Sequence, residues 1–186
     1  MSFHPHFVEI WIKKVFWILT KPQAENLARA VYGMSKKRTG IISDLVRDRL
    51  IPGSKLHKHR RKKLDRFLSN HLVIPDKIFK FWIAWVMEVL VKGRYVPIAI
   101  DWTTLPGSRQ CLMAAVPFQG RGIPLYWRIL PSWVSIKDSQ NKIEERFLSR
   151  LLNMIASDKR PIIIADRGFG RADLAKFLLK KGFCLY

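Results

Sequence analysis

The chain has 186 residues and a formal net charge of +20, with 34 Lys and Arg against 14 Asp and Glu. A hydrophobic fraction of 48% excludes a disordered polycation, and the charge excess points to a polyanion, nucleic acid ahead of an anionic membrane surface. Cys111 and Cys184 form no C-x-x-C pair and exclude a disulfide framework or zinc ribbon. The first residues lack the pattern of a signal peptide, and no uncharged apolar run approaches the ~18 residues of a membrane span. The expectation is a cytoplasmic, nucleoid-associated protein with no membrane partner.

In chain order, the first half reads as helical. Thr20-Lys-Pro-Gln23 resembles a capping box with proline in the first turn, and predicts a helix to about Gly33. Ser43 and Asp44 open a second, with Leu45, Val46, Arg49 and Leu50, closed by Pro52-Gly53. Residues 55–69 predict a heavily basic third helix, and Pro75-Asp76 starts a fourth, aromatic and aliphatic, ending near Gly93.

Near residue 95 the period changes. VPIAIDWT, RQCLMAAVPFQ and GIPLYWRILP are separated by turn signals at hairpin spacing and predict an antiparallel meander. Residues 139–156 place Ile143, Phe147, Leu148, Leu151, Leu152 and Ile155 on one helical face. PIIIAD is a compact apolar strand, Gly168-Phe-Gly170 turns the chain into the helix RADLAKFLLKKG, and FCLY begins another strand. The fold class is α/β: a helical N-terminal region over residues 1–93, then a mixed sheet over residues 94–186. A right-handed crossover would bring the strand before Asp166 parallel to an earlier one.

Two acids stand out. Asp101 and Asp166 are each the first charged residue after an apolar strand, at the sheet rim where open α/β sheets bind ligands. If those strands are neighbours, the two like charges require a compensating cation, and oxygen donors suit Mg2+ or Mn2+. Otherwise each acid caps a strand-to-loop turn. Thr103 and Thr104 either orient Asp101 or form a turn. The second cluster is basic: Lys55, Lys58, Arg60, Arg61, Lys62, Lys63 and Arg66 stand against the single acid Asp65 in residues 55–66. So dense a charge run is suited to phosphate contact with double-stranded DNA, salt-sensitive and tolerant of sequence. Arg167 and Arg171 flank Asp166 and offer forked donors to phosphate, or are turn arginines. His57 and His59 sit among cations that would repel a metal. Glu144 and Glu145 are read as facing solvent. Trp82, Trp85, Trp102, Trp127 and Trp133 are read as core and rim aromatics.

The blocks IAIDWTTLPG, GRGIPLYWRILP and IIIADRGFGRADLAKFLLKKGF resemble successive blocks of bacterial insertion-sequence DDE transposases of the insertion sequence 4-like group. HKHRRKKLDRFLSNHLV resembles the Arg-rich segment before their catalytic domain. The resemblance runs from about residue 35 onward, and is most specific around Asp166. It implies an RNase H-like sheet, with three antiparallel strands, a helix, a parallel strand and a helix. It also implies Asp101 and Asp166 as catalytic metal ligands, and Mg2+- or Mn2+-dependent cleavage and transfer of DNA strands. The partners would be transposon ends and target DNA, with a homodimer on DNA. The family's third residue, a Glu in a Tyr-Arg-Glu-Lys signature, finds no match, so the chain is expected to be an incomplete catalytic domain. The alternatives are an inactive DNA-binding remnant that acts as an inhibitor or has no function, and an unrelated RNase H-like nuclease using Glu144 or Asp173.

Overall fold

A computed structural model of the chain describes residues 4–47, 56–131 and 139–185. Two compact units divide it, Met1–Ile78 and Phe79–Tyr186.

The first unit is helical. Its helices are α1 (Pro5–Val15), α2 (Lys21–Lys37), α3 (Ile42–Arg47) and α4 (His57–Leu68). The start of α2 is as the motif predicts: Gln23 Oε1 accepts from the Thr20 backbone N–H at 2.9 Å. Gly33 does not end that helix. It is buried inside it, where an added Cβ would lie 3.5 Å from Leu45, so α2 runs on to Lys37. Ala30, Leu45, Val46, Leu64 and Phe67 form the core that joins α2, α3 and α4. Arg49, Leu50, Pro52, Gly53 and Lys55 lie outside the described residues, as does Trp133.

The helix α5 (Pro75–Val89) leads into the second unit. Its buried residues Ile83, Val86 and Met87 belong to the core of the sheet, so the division falls earlier than the change of sequence pattern near residue 94. Trp82 Nε1 donates to the Pro124 carbonyl at 2.6 Å, tying the helix to a strand.

The sheet contains β1 (Tyr95–Leu105), β2 (Arg109–Phe118), β3 (Arg121–Leu130), β4 (Arg160–Ala165) and β5 (Cys184–Leu185), in the order β3-β2-β1-β4-β5. The first three form the antiparallel meander. The two-residue turn between β2 and β3 is Gln119-Gly120, with φ of 48° and 75°. Positive φ at both central residues is what a tight hairpin matched to strand twist requires. Leu125 is an extra residue in the β2–β3 register, between Tyr126 opposite Ala114 and Pro124 opposite Ala115. That bulge lets the consecutive Leu125 and Tyr126 both be buried.

Next come α6 (Gln140–Met154) and α7 (Ala172–Lys180), on either side of β4 in sequence. β4 runs parallel to β1, and β5 parallel to β4. Along β1 the buried residues Val96, Ile98 and Ile100 alternate with more exposed ones and join Phe147, Leu148 and Leu151 of α6 in one core. Burial of this apolar face is the main force holding helix to sheet. Among the described residues, no helix is long and apolar enough to cross a membrane.

Candidate functional site

The two aspartates come from distant stretches to adjacent strands: Asp166 directly follows β4, as expected, but Asp101 does not end its strand, because pairing with β2 carries β1 on to Leu105. The parallel β1–β4 register pairs Val96 with Pro161, Ile98 with Ile163 and Ile100 with Ala165. Asp101 and Asp166 are each the next residue. Neighbouring strands lie about 4.8 Å apart, so the backbones of the two residues are near one another. Both aspartates are exposed. Asp166 also opens a turn: its Oδ1 accepts from Gly168 N–H at 2.9 Å, above the single 3-10 turn Arg167–Phe169. It lines a cleft of about 400 Å³ with Ile100, Ile163, Phe169 and Arg171. Exposed carboxylate oxygens are the donor set that hard divalent ions such as Mg2+ or Mn2+ take, with water filling the remaining positions. Asp101 and Asp166 are the residues that would hold such an ion, although Asp101 is not among the residues lining that cleft.

Glu144 is the residue whose placement differs most from expectation. It does not face solvent: its relative exposure is 0%. Its Oε1 accepts from Trp102 Nε1 at 2.8 Å and from Gln140 Nε2 at 2.9 Å, and its Oε2 pairs with Arg171 Nη2. A buried carboxylate must be matched in this way, because desolvation of an unmatched charge costs several kcal/mol. Both oxygens are engaged inside the fold, so Glu144 does not supply a third carboxylate to a rim site. Glu145 beside it is half-buried.

Arg171 is the partner of that carboxylate. The residue flanks the Asp166 turn, but its guanidinium is held by Glu144, and its Nη1 donates to the Gly168 carbonyl at 3.2 Å. It joins α6 to the turn. Arg167 is exposed. Thr104 turns to β2, where its hydroxyl donates to Gln110 Oε1 at 3.2 Å, and Thr103 is exposed.

In the helical unit, α4 presents Lys58, Arg61, Lys62, Lys63 and Arg66 to solvent. Arg60 is the exception among the predicted phosphate contacts. It is 5% exposed, and its Nε donates to the Val46 carbonyl at 2.9 Å. The last carbonyls of a helix lack partners within it and carry partial negative charge, so an arginine there is well placed. Arg60 thus fastens α4 to the end of α3. Arg61 lies 3.7 Å from Asp65, and both are exposed, so that pair adds little. The five exposed cations still give one helix a dense positive surface.

One signal for both missed residues was present in the sequence. Arg60 is four residues before Leu64 and seven before Phe67, and Glu144 is four before Leu148 and seven before Leu151. Each lies on the apolar stripe of its helix. No protein-family profile matches the chain, and no curated protein matches it.

Proposed function

We propose that the chain is part of a DDE-type insertion-sequence transposase. On this reading, Asp101 and Asp166 are the first two metal-binding carboxylates of an RNase H-like domain, and the basic helical unit binds duplex DNA. The observation that carries it is the parallel β1–β4 register, which puts Asp101 within β1 at the level of Asp166, the residue that follows β4. The strand order supports it too, because RNase H-like sheets set the fourth strand beside the first after a three-stranded meander.

The chain's own residues then have separate tasks. Asp101 and Asp166 hold a divalent ion, Mg2+ or Mn2+. That ion, when bound, supplies Lewis-acid stabilisation of charge on phosphoryl oxygens. Lys58, Arg61, Lys62, Lys63 and Arg66 neutralise backbone phosphates. Such contacts release counterions, so affinity falls steeply with salt and depends little on sequence. Joining two DNA ends to a target requires two copies on DNA. A Tyr-Arg-Glu-Lys sequence does not occur among the 186 residues. The reading therefore assigns these residues metal and DNA binding, with strand cleavage awaiting a third carboxylate.

A mobility-shift assay on duplex DNA across a salt series, followed by a nicking assay with Mg2+, tests this. The expected result is a shifted band that weakens with salt, without nicking. Absence of any shift at low salt would remove the DNA-binding half. Mn2+ binding that survives both Asp101→Asn and Asp166→Asn would remove the metal half.

A further inference from the structure

We infer that Glu144 is a positioning residue that sets the placement of Asp101 relative to Asp166, an inference that rests on the two-aspartate metal site proposed above. Glu144 touches neither aspartate. It is instead joined to a near neighbour of each. Trp102 directly follows Asp101 on β1, and its indole donates to Glu144 Oε1 at 2.8 Å. Arg171 at the start of α7 pairs with Oε2 and reaches back to the Gly168 carbonyl at 3.2 Å. Gly168 N–H in turn donates to Asp166 Oδ1 at 2.9 Å. The linkage thus runs from Asp101 through Trp102, Glu144, Arg171 and Gly168 to Asp166.

The chemistry of the joint matters as much as its path. The β1–β4 ladder stops at Ile100 and Ala165 and so does not reach Asp166, while Asp101 is held on its other side by pairing with Met113 of β2. Beyond that point the Asp166 turn depends on side chains for its position relative to β1, which continues to Leu105. Helix α6 already has Phe147, Leu148 and Leu151 to hold it to the sheet. An apolar residue at 144 would continue that contact with less desolvation cost. A carboxylate adds direction. One oxygen receives the donor from β1, and the other receives the donor that anchors the Asp166 turn. Gln140, one turn earlier on α6, donates to Oε1 at 2.9 Å and fixes the orientation of the carboxylate. Groups that orient metal ligands without touching the ion typically change metal affinity 10- to 100-fold when altered.

The test is Mn2+ binding by titration calorimetry on the full chain, at a temperature where circular dichroism shows each variant folded. Thermal unfolding in metal-free buffer accompanies it. Wild type is compared with Asp101→Asn, Asp166→Asn, Glu144→Gln and Trp102→Phe. The expected result is that each aspartate variant loses Mn2+ binding, Glu144→Gln binds about 10-fold more weakly, and Trp102→Phe shows a smaller loss. Trp102→Phe leaves the ion pair and most of the ring in place, so it carries the test should Glu144→Gln not fold. Lower unfolding temperatures with wild-type Mn2+ affinity in the Glu144 and Trp102 variants would overturn the positioning role and leave the metal site standing. A wild-type chain that does not bind Mn2+, or aspartate variants that bind it as wild type does, would remove the two-aspartate reading and the positioning role together.

Discussion

Among the described residues, the helical unit and the sheet unit each bury one charged residue on the apolar stripe of a helix, and they satisfy it by different means. In α4, Arg60 takes the first place of a stripe continued by Leu64 and Phe67, and its guanidinium meets a backbone carbonyl at the end of α3. In α6, Glu144 takes the first place of a stripe continued by Leu148 and Leu151, and meets side chains from β1, from α6 itself and from the start of α7. An arginine serves a helix end with partial charges already in the backbone. A buried carboxylate requires donors from elsewhere, so it ties together more of the fold. The same sequence spacing thus produces a local fastening in one unit and a long-range joint in the other.

The sharpest way to break that contrast is Glu144→Ala. It removes the carboxylate and leaves the Arg171 charge in a partly buried place. Loss of one partner of a buried pair costs about 3–5 kcal/mol. Urea unfolding monitored by tryptophan fluorescence should show a loss of that size, and a loss under ~1 kcal/mol would put Glu144 on the same footing as a surface residue.

Arg60→Met should cost less, about 1–3 kcal/mol, for a buried carbonyl left without its donor. Its effect on DNA binding sharpens the comparison further. Because Arg60 faces inward, the variant should retain the wild-type salt dependence at temperatures where it is folded. A reduced salt slope would return Arg60 to the phosphate-binding set.

Lys62→Ala on the solvent side of α4 should behave in the opposite way. Stability should stay within ~0.5 kcal/mol of wild type. The slope of log affinity against log salt should fall by about 0.9 for a lost phosphate contact on duplex DNA. An unchanged slope would mean that this face does not meet phosphate.

The smallest effect concerns Cys111, buried on β2. Burial raises its thiol pKa above the ordinary value of 9.0. The folded thiol then holds its proton more tightly than the unfolded one. Its contribution to stability is complete below pH 9.0 and is lost as pH rises through the folded value. Unfolding curves from pH 8 to pH 10 should show this decline in wild type and a flatter profile in Cys111→Ala.

What the sequence by itself determined is periodicity and punctuation. Alternation marks Val96, Ile98 and Ile100 as one face of β1, Gln119-Gly120 marks the tight hairpin, and Gln23 marks the start of α2. The acids after two apolar runs were visible for the same reason, although the first lies within β1 rather than after it. Tertiary structure alone decided which elements became neighbours. Nothing local says that β4 lies against β1 with Ile100 opposite Ala165, and that register is what brings the two aspartates to one level. Nor does local composition say whether Gly33 ends a helix or packs beside Leu45. Arg60 and Glu144 show the limit most clearly. Their spacing reveals the face on which each lies, but a charge on a buried face is tolerable only if a partner waits there, and that partner is supplied by a residue distant in the chain.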